Sequence, residues 1–143
     1  MSYGQQMRPL LRAKLPTSSS MAAVLLGDLL VLFAFIATGQ ISHGYVFWEA
    51  PARTVLITMP AVVGWLVVAV PAGLFVPSTV RNLKRLVPTV LVVWTGAALI
   101  AGLIRSTSLV PGNAPLTFLL VNIVFGAVFI TPWRVAAGWW LGR

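Results

Sequence analysis

The chain has 143 residues, 59% of them hydrophobic and only 8% charged, with a formal net charge of +8. A soluble domain carries roughly 25% charged residues, so water is excluded as the main solvent and lipid takes its place. The ten Lys and Arg residues lie in short clusters between apolar runs, where membrane topology asks for them, and this pattern excludes nucleic acid as a partner.

Residues 1–20 are polar and basic, with Arg8, Arg12 and Lys14 ahead of a Thr-Ser-Ser-Ser run, and read as a cytoplasmic arm. Basic residues before an apolar run resemble a secretory signal. The run that follows, however, exceeds the usual ~7–15 residues, carries Asp28 and lacks a small-residue cleavage site. It reads as a retained first span over 21–41, close to the ~20 residues that cross a bilayer, with Ser19 or Ser20 as its N-cap. The charge-free stretch 54–80 holds a second span at 55–76, which Pro71 is expected to kink. A third span follows at 86–104. Pro111, Gly112 and Asn113 read as a turn. The fourth span covers 115–133, with Pro115 suited to a first helical turn. Residues 135–143 form a short interfacial tail, anchored by Trp139, Trp140 and Arg143.

A membrane barrel would show ~10-residue segments alternating apolar and polar, whereas these runs are apolar on all sides. The predicted fold is therefore an all-α polytopic membrane protein, with four transmembrane helices in a single bundle over 21–134. Orientation follows from basic residues. Arg8, Arg12, Lys14, Arg81, Lys84, Arg85, Arg134 and Arg143 fall on one side, and only Arg53 and Arg105 on the other. Both termini are thus expected in the cytoplasm, in a multi-pass plasma-membrane arrangement. Ala69 with Gly73 and Ala98 with Gly102 have the small-residue spacing that lets membrane helices approach closely. The spacing supports a bundle without identifying the partner; were the protein a conduit, the second pair would be the expected contact face of a homodimer.

Few residues carry chemistry. Without cysteine, disulfides and thiol chemistry are excluded, and a single histidine leaves no protein-only zinc site. Asp28 lies about 10 Å into the first span at ~1.5 Å per residue. An acid at that depth is costly unless it pairs, stays protonated or meets water. It is a candidate proton or cation site, or an ion-pair partner for Arg134, Arg81 or Lys84. Asp28, Leu32, Phe35, Gly39 and His43 share one side of their helix. His43, Arg105 and Asn122 form a candidate polar cluster at the outer face, where His43 is suited to pH sensing or to capping its helix. Trp65 and Trp94, near mid-membrane, read as core packing. Paired-carboxylate catalysis needs two nearby acids, and Asp28 and Glu49 belong near opposite faces. No nucleophile elbow, phosphate-cradling loop or zinc-protease helix occurs. No enzyme activity, metal or cofactor is expected.

Several of these residues together carry a family resemblance. Asp28, the helix end Gly39-x-x-Ser42-His43-Gly44, Gly64-Trp65, Val93-Trp94 leading to Arg105, and the closing Trp133-Arg134 occur in the order seen in a family of small prokaryotic four-helix membrane proteins of unknown function. The chain resembles that family from Ala22 to Arg134. It departs at Gln40, where a basic residue is expected, and at Pro132, where glycine is expected. The resemblance implies the four-helix fold and no activity. Two roles follow from the inventory. One is a non-catalytic structural or accessory subunit of a larger membrane complex. The other is a small homo-oligomeric transporter or proton-coupled conduit using Asp28. In both, the lipid bilayer is the first partner.

Overall fold

The computed structural model describes residues 3–110 and 113–143. Six helices follow in order: α1 (Tyr3–Lys14), α2 (Ser19–Ser42), α3 (Pro51–Ala69), α4 (Pro77–Val80), α5 (Leu83–Arg105) and α6 (Leu116–Leu141). Among the described residues there is no strand. α2, α3, α5 and α6 are long and apolar enough to cross a membrane, and the chain is an all-helical membrane protein.

Several boundaries differ from the sequence reading, each for a local reason. The basic arm is itself helical over α1. The N-cap of α2 is Ser18, one residue early, whose hydroxyl accepts the Met21 N–H at 3.1 Å. α3 starts at Pro51 and stops at Ala69, so the span expected at 55–76 is displaced toward its N-terminus. Pro71 does not kink a helix but follows its end, as a residue that cannot continue one. The chain then reverses at Gly73, whose φ of 81° suits a residue without Cβ. Leu74 and Phe75 fold back into the bundle, fully buried. Asn82 caps α5 by accepting the Arg85 N–H at 3.4 Å, which moves the start of that helix ahead of 86. Pro115 is the N-cap of α6 rather than part of its first turn. α6 continues to Leu141, so most of the expected 135–143 tail is helix, with Trp139 and Trp140 exposed on its last turns. Of the expected turn, Pro111 and Gly112 lie outside the described residues.

The four long helices form a closed ring in the order α2, α3, α5, α6, with α3 against α5 the most extensive pairing. Connections this short make ring neighbours antiparallel, the up-down-up-down arrangement. Leu26, Leu30, Val67, Val92, Leu103, Val124 and Val128 point outward. In lipid such residues gain nothing by burial, and close packing supplies the cohesion. Gly64 provides it most directly, since a Cβ there would meet the Ala97 carbonyl of α5. Gly126 accommodates the Trp94 ring, and Gly27 the Trp133 ring. Gly102 faces Leu119 of α6, and Ala98 is fully buried. Both residues of that pair are therefore packed within the chain. Gly73 lies in the turn and forms no helical pair with Ala69.

Candidate functional site

The interior holds one acid and one base at full burial. Asp28 on α2 and Arg134 on α6 are both 0% exposed. The guanidinium meets the carboxylate side-on: Nε donates to Oδ1 at 2.8 Å and Nη2 to Oδ2 at 2.6 Å. Two indoles complete the carboxylate. Trp65 Nε1 on α3 donates to Oδ2 and Trp133 Nε1 on α6 to Oδ1, each at 2.9 Å. Each oxygen thus accepts two bonds, about the full capacity of a carboxylate. On the far side of the guanidinium, Arg134 Nη1 donates to the Leu74 carbonyl at 2.6 Å. That carbonyl is available because the turn after α3 folds inward. The Phe75 and Trp65 rings lie 4.9 and 5.5 Å from the guanidinium carbon, close enough for cation–π attraction.

Of the three bases placed within reach of Asp28, the structure selects Arg134. Arg81 and Lys84 are exposed and make no bond to Asp28. The geometry also reassigns Trp65, read from sequence as packing, to a hydrogen-bond donor. Its signal was present: a buried indole N–H requires an acceptor, and Asp28 was the only deep anion. Trp94 answers the same requirement differently, donating to the Ile123 carbonyl at 3.1 Å.

The opposite end of the bundle, where α2 and α5 finish and α3 and α6 begin, holds a half-open cavity of about 290 Å³. His43, Arg105 and Asn122, the three residues grouped from sequence, all line it. They are joined there by Arg53, which the sequence reading had already put on the same side as Arg105, and by Gln40 and Tyr45, which it did not include. Gln40 lies to one side of the Asp28–His43 stripe, drawn toward α3 because Thr54 Oγ1 donates to its Oε1 at 2.8 Å. Gly39 and His43 are exposed. Phe35 forms the cavity floor and stands edge-on to Trp94 at 5.9 Å, and Trp94 in turn packs on Trp65 at 6.4 Å. These rings fill the interior between cavity and ion pair. Among the described residues no three acidic or histidine side chains come together to hold a metal ion.

A family model described as "Protein of unknown function (DUF3054)" matches residues 25–137. The chain belongs to this family. No curated protein and no solved structure matches it. The DUF3054 segment contains the whole ion-pair network, from Asp28 to Arg134, and every residue lining the cavity at the opposite end of the bundle. α1 and the last turn of α6 lie outside it.

Proposed function

We propose that this DUF3054 protein is a non-catalytic accessory subunit of a larger plasma-membrane assembly, with both termini in the cytoplasm. The observation that carries this reading is the saturation of Asp28. A proton or cation carrier must exchange its ligand with water, whereas this carboxylate is fully buried and its four acceptor sites are filled by Arg134, Trp65 and Trp133. Such a network fixes α2, α3 and α6 to one another. The conduit alternative loses further support from the aromatic rings above the pair and from the internal use of Ala98 and Gly102.

α1 supplies the surface for a partner. Among the described residues it makes no extensive packing with the long helices, and Lys14 Nζ ties it to the turn after α3 by donating to the Pro71 carbonyl at 2.7 Å. Met7, Leu10 and Leu11 share one exposed face, and Arg8 and Arg12 share another. Such a helix lies in the membrane interface with its basic face toward the cytoplasm. Site-specific photo-crosslinking in native membranes, with the probe at Arg8, tests the proposal. A discrete adduct larger than a homodimer, lost on deleting residues 1–15, is the expected result. Isolated chains or homodimers alone would overturn it.

A further inference from the structure

The outer cavity is positively charged on a chain that has no anion to spare for it. Of two acidic residues in the sequence, Asp28 is consumed by Arg134, and Glu49 does not line the cavity. His43, Arg53 and Arg105 converge there without a carboxylate in the lining, and Arg53 and Arg105 are near enough to repel each other. Each guanidinium lies over an aromatic ring, Arg53 at 4.6 Å from the Tyr45 centroid and Arg105 at 4.4 Å from that of Phe118. Stacking of this kind engages the flat face of the group and leaves its N–H edge free to bind. Arg105 Nε and Gln40 Nε2 beside the cavity have no hydrogen-bond partner, but surrounding atoms close both off from the cavity itself.

Like charges facing each other without a carboxylate, between apolar walls from Phe35, Ile57 and Val121, describe half of a binding site. We infer that this cavity binds a phosphate-type oxyanion, gripped by Arg53 and Arg105. Guanidinium edges match phosphate oxygens in geometry and charge. A phosphate carries more oxygens and more charge than a carboxylate, which suits two guanidiniums and an imidazole. The volume, about 290 Å³, sits at the lower end of the ~300–1,000 Å³ usual for ligand sites. It admits a head group with its first few carbons, or free phosphate, and not a whole lipid. The site stands on its own geometry and does not depend on the accessory role.

The test uses the full chain in dodecyl maltoside, a phosphate-free detergent. Dihexanoyl phosphatidic acid, inorganic phosphate and uncharged dihexanoylglycerol are titrated separately, with calorimetry and native mass spectrometry as readouts. Saturable binding of phosphatidic acid alone identifies a lipid head group, and equal binding of inorganic phosphate identifies a free solute. Arg105→Gln is expected to weaken either by about tenfold or more, the loss of a charge-assisted hydrogen bond. Arg53→Gln, at an exposed position, is expected to weaken binding in the same direction while folding normally. Lys84→Gln, at the other end of the bundle, is expected to leave it unchanged. No saturable binding of either phosphate probe, binding equal to that of the uncharged diacylglycerol, or wild-type affinity in Arg53→Gln would overturn the inference.

Discussion

Asp28 and Arg134 are held in place by what removing one of them would leave behind. Within a low-dielectric bundle the pair itself adds little net stability, because desolvating two charges offsets their attraction. Breaking it is different: a lone guanidinium at 0% exposure has no water to turn to. Asp28→Asn is therefore expected to destabilise the protein by about 3–5 kcal/mol, measured by unfolding in mixed dodecyl maltoside and SDS micelles. Arg134→Met should cost a comparable amount. The double variant Asp28→Asn/Arg134→Met should lie closer to wild type than either single change, since it removes both charges and keeps an acceptor for one of the two indoles. A fully stable Asp28→Asn protein would show that the pair does not hold the fold together.

Helices rather than single contacts decide the next level, and here the sequence was legible in one respect and opaque in another. The four spans could be read from apolar length alone, because nothing else accounts for runs of that composition. The end of α3 could not. Apolar residues continue past Ala69 through Leu74 and Phe75, so hydropathy cannot distinguish a longer helix from a turn that tucks apolar side chains under the bundle. That misreading also concealed the Leu74 carbonyl as a partner for Arg134. The outer cluster was legible for His43, Arg105 and Asn122, because polar residues at span ends stand out. Arg53 was legible as a base on the same side as Arg105, but its convergence on the cavity depends on the rotation of α3 about its own axis, which no sequence pattern fixed. Glycine spacing marked close packing without saying against what. The structure separates two cases. Gly64→Ala sets a methyl against the Ala97 backbone carbonyl, where neither side is a flexible side chain, and is expected to cost about 1–3 kcal/mol. Gly39→Ala meets nothing within 4 Å and is expected to be neutral, or stabilising by up to about 1 kcal/mol through helix propensity. Parallel thermal unfolding of the two variants checks this, and equal effects would refute the proposed α3–α5 contact.

At the scale of the whole molecule, the ion pair changes how orientation should be counted. The positive-inside rule concerns charges that must remain on one side of the membrane. Arg134 is buried against Asp28 and no longer qualifies. The remaining count is seven against two: Arg8, Arg12, Lys14, Arg81, Lys84, Arg85 and Arg143 opposing Arg53 and Arg105. If the outer cavity holds a phosphate, its two arginines are neutralised there and the asymmetry becomes steeper. Reporter fusions after Arg143 and at Ser78 are accordingly expected to read cytoplasmic, and one at Thr107 external. The loop can be weakened without losing the bias. Replacing Arg81, Lys84 and Arg85 with glutamine leaves Arg8, Arg12, Lys14 and Arg143 against the same two arginines, so the three reporters should keep their readings. Additional removal of Arg8, Arg12 and Lys14 leaves a single base, Arg143, on the proposed cytoplasmic side, and a mixed topology is then expected. An external reading after Arg143 in the unaltered chain would reverse the proposed orientation and place the outer cavity on the cytoplasmic side.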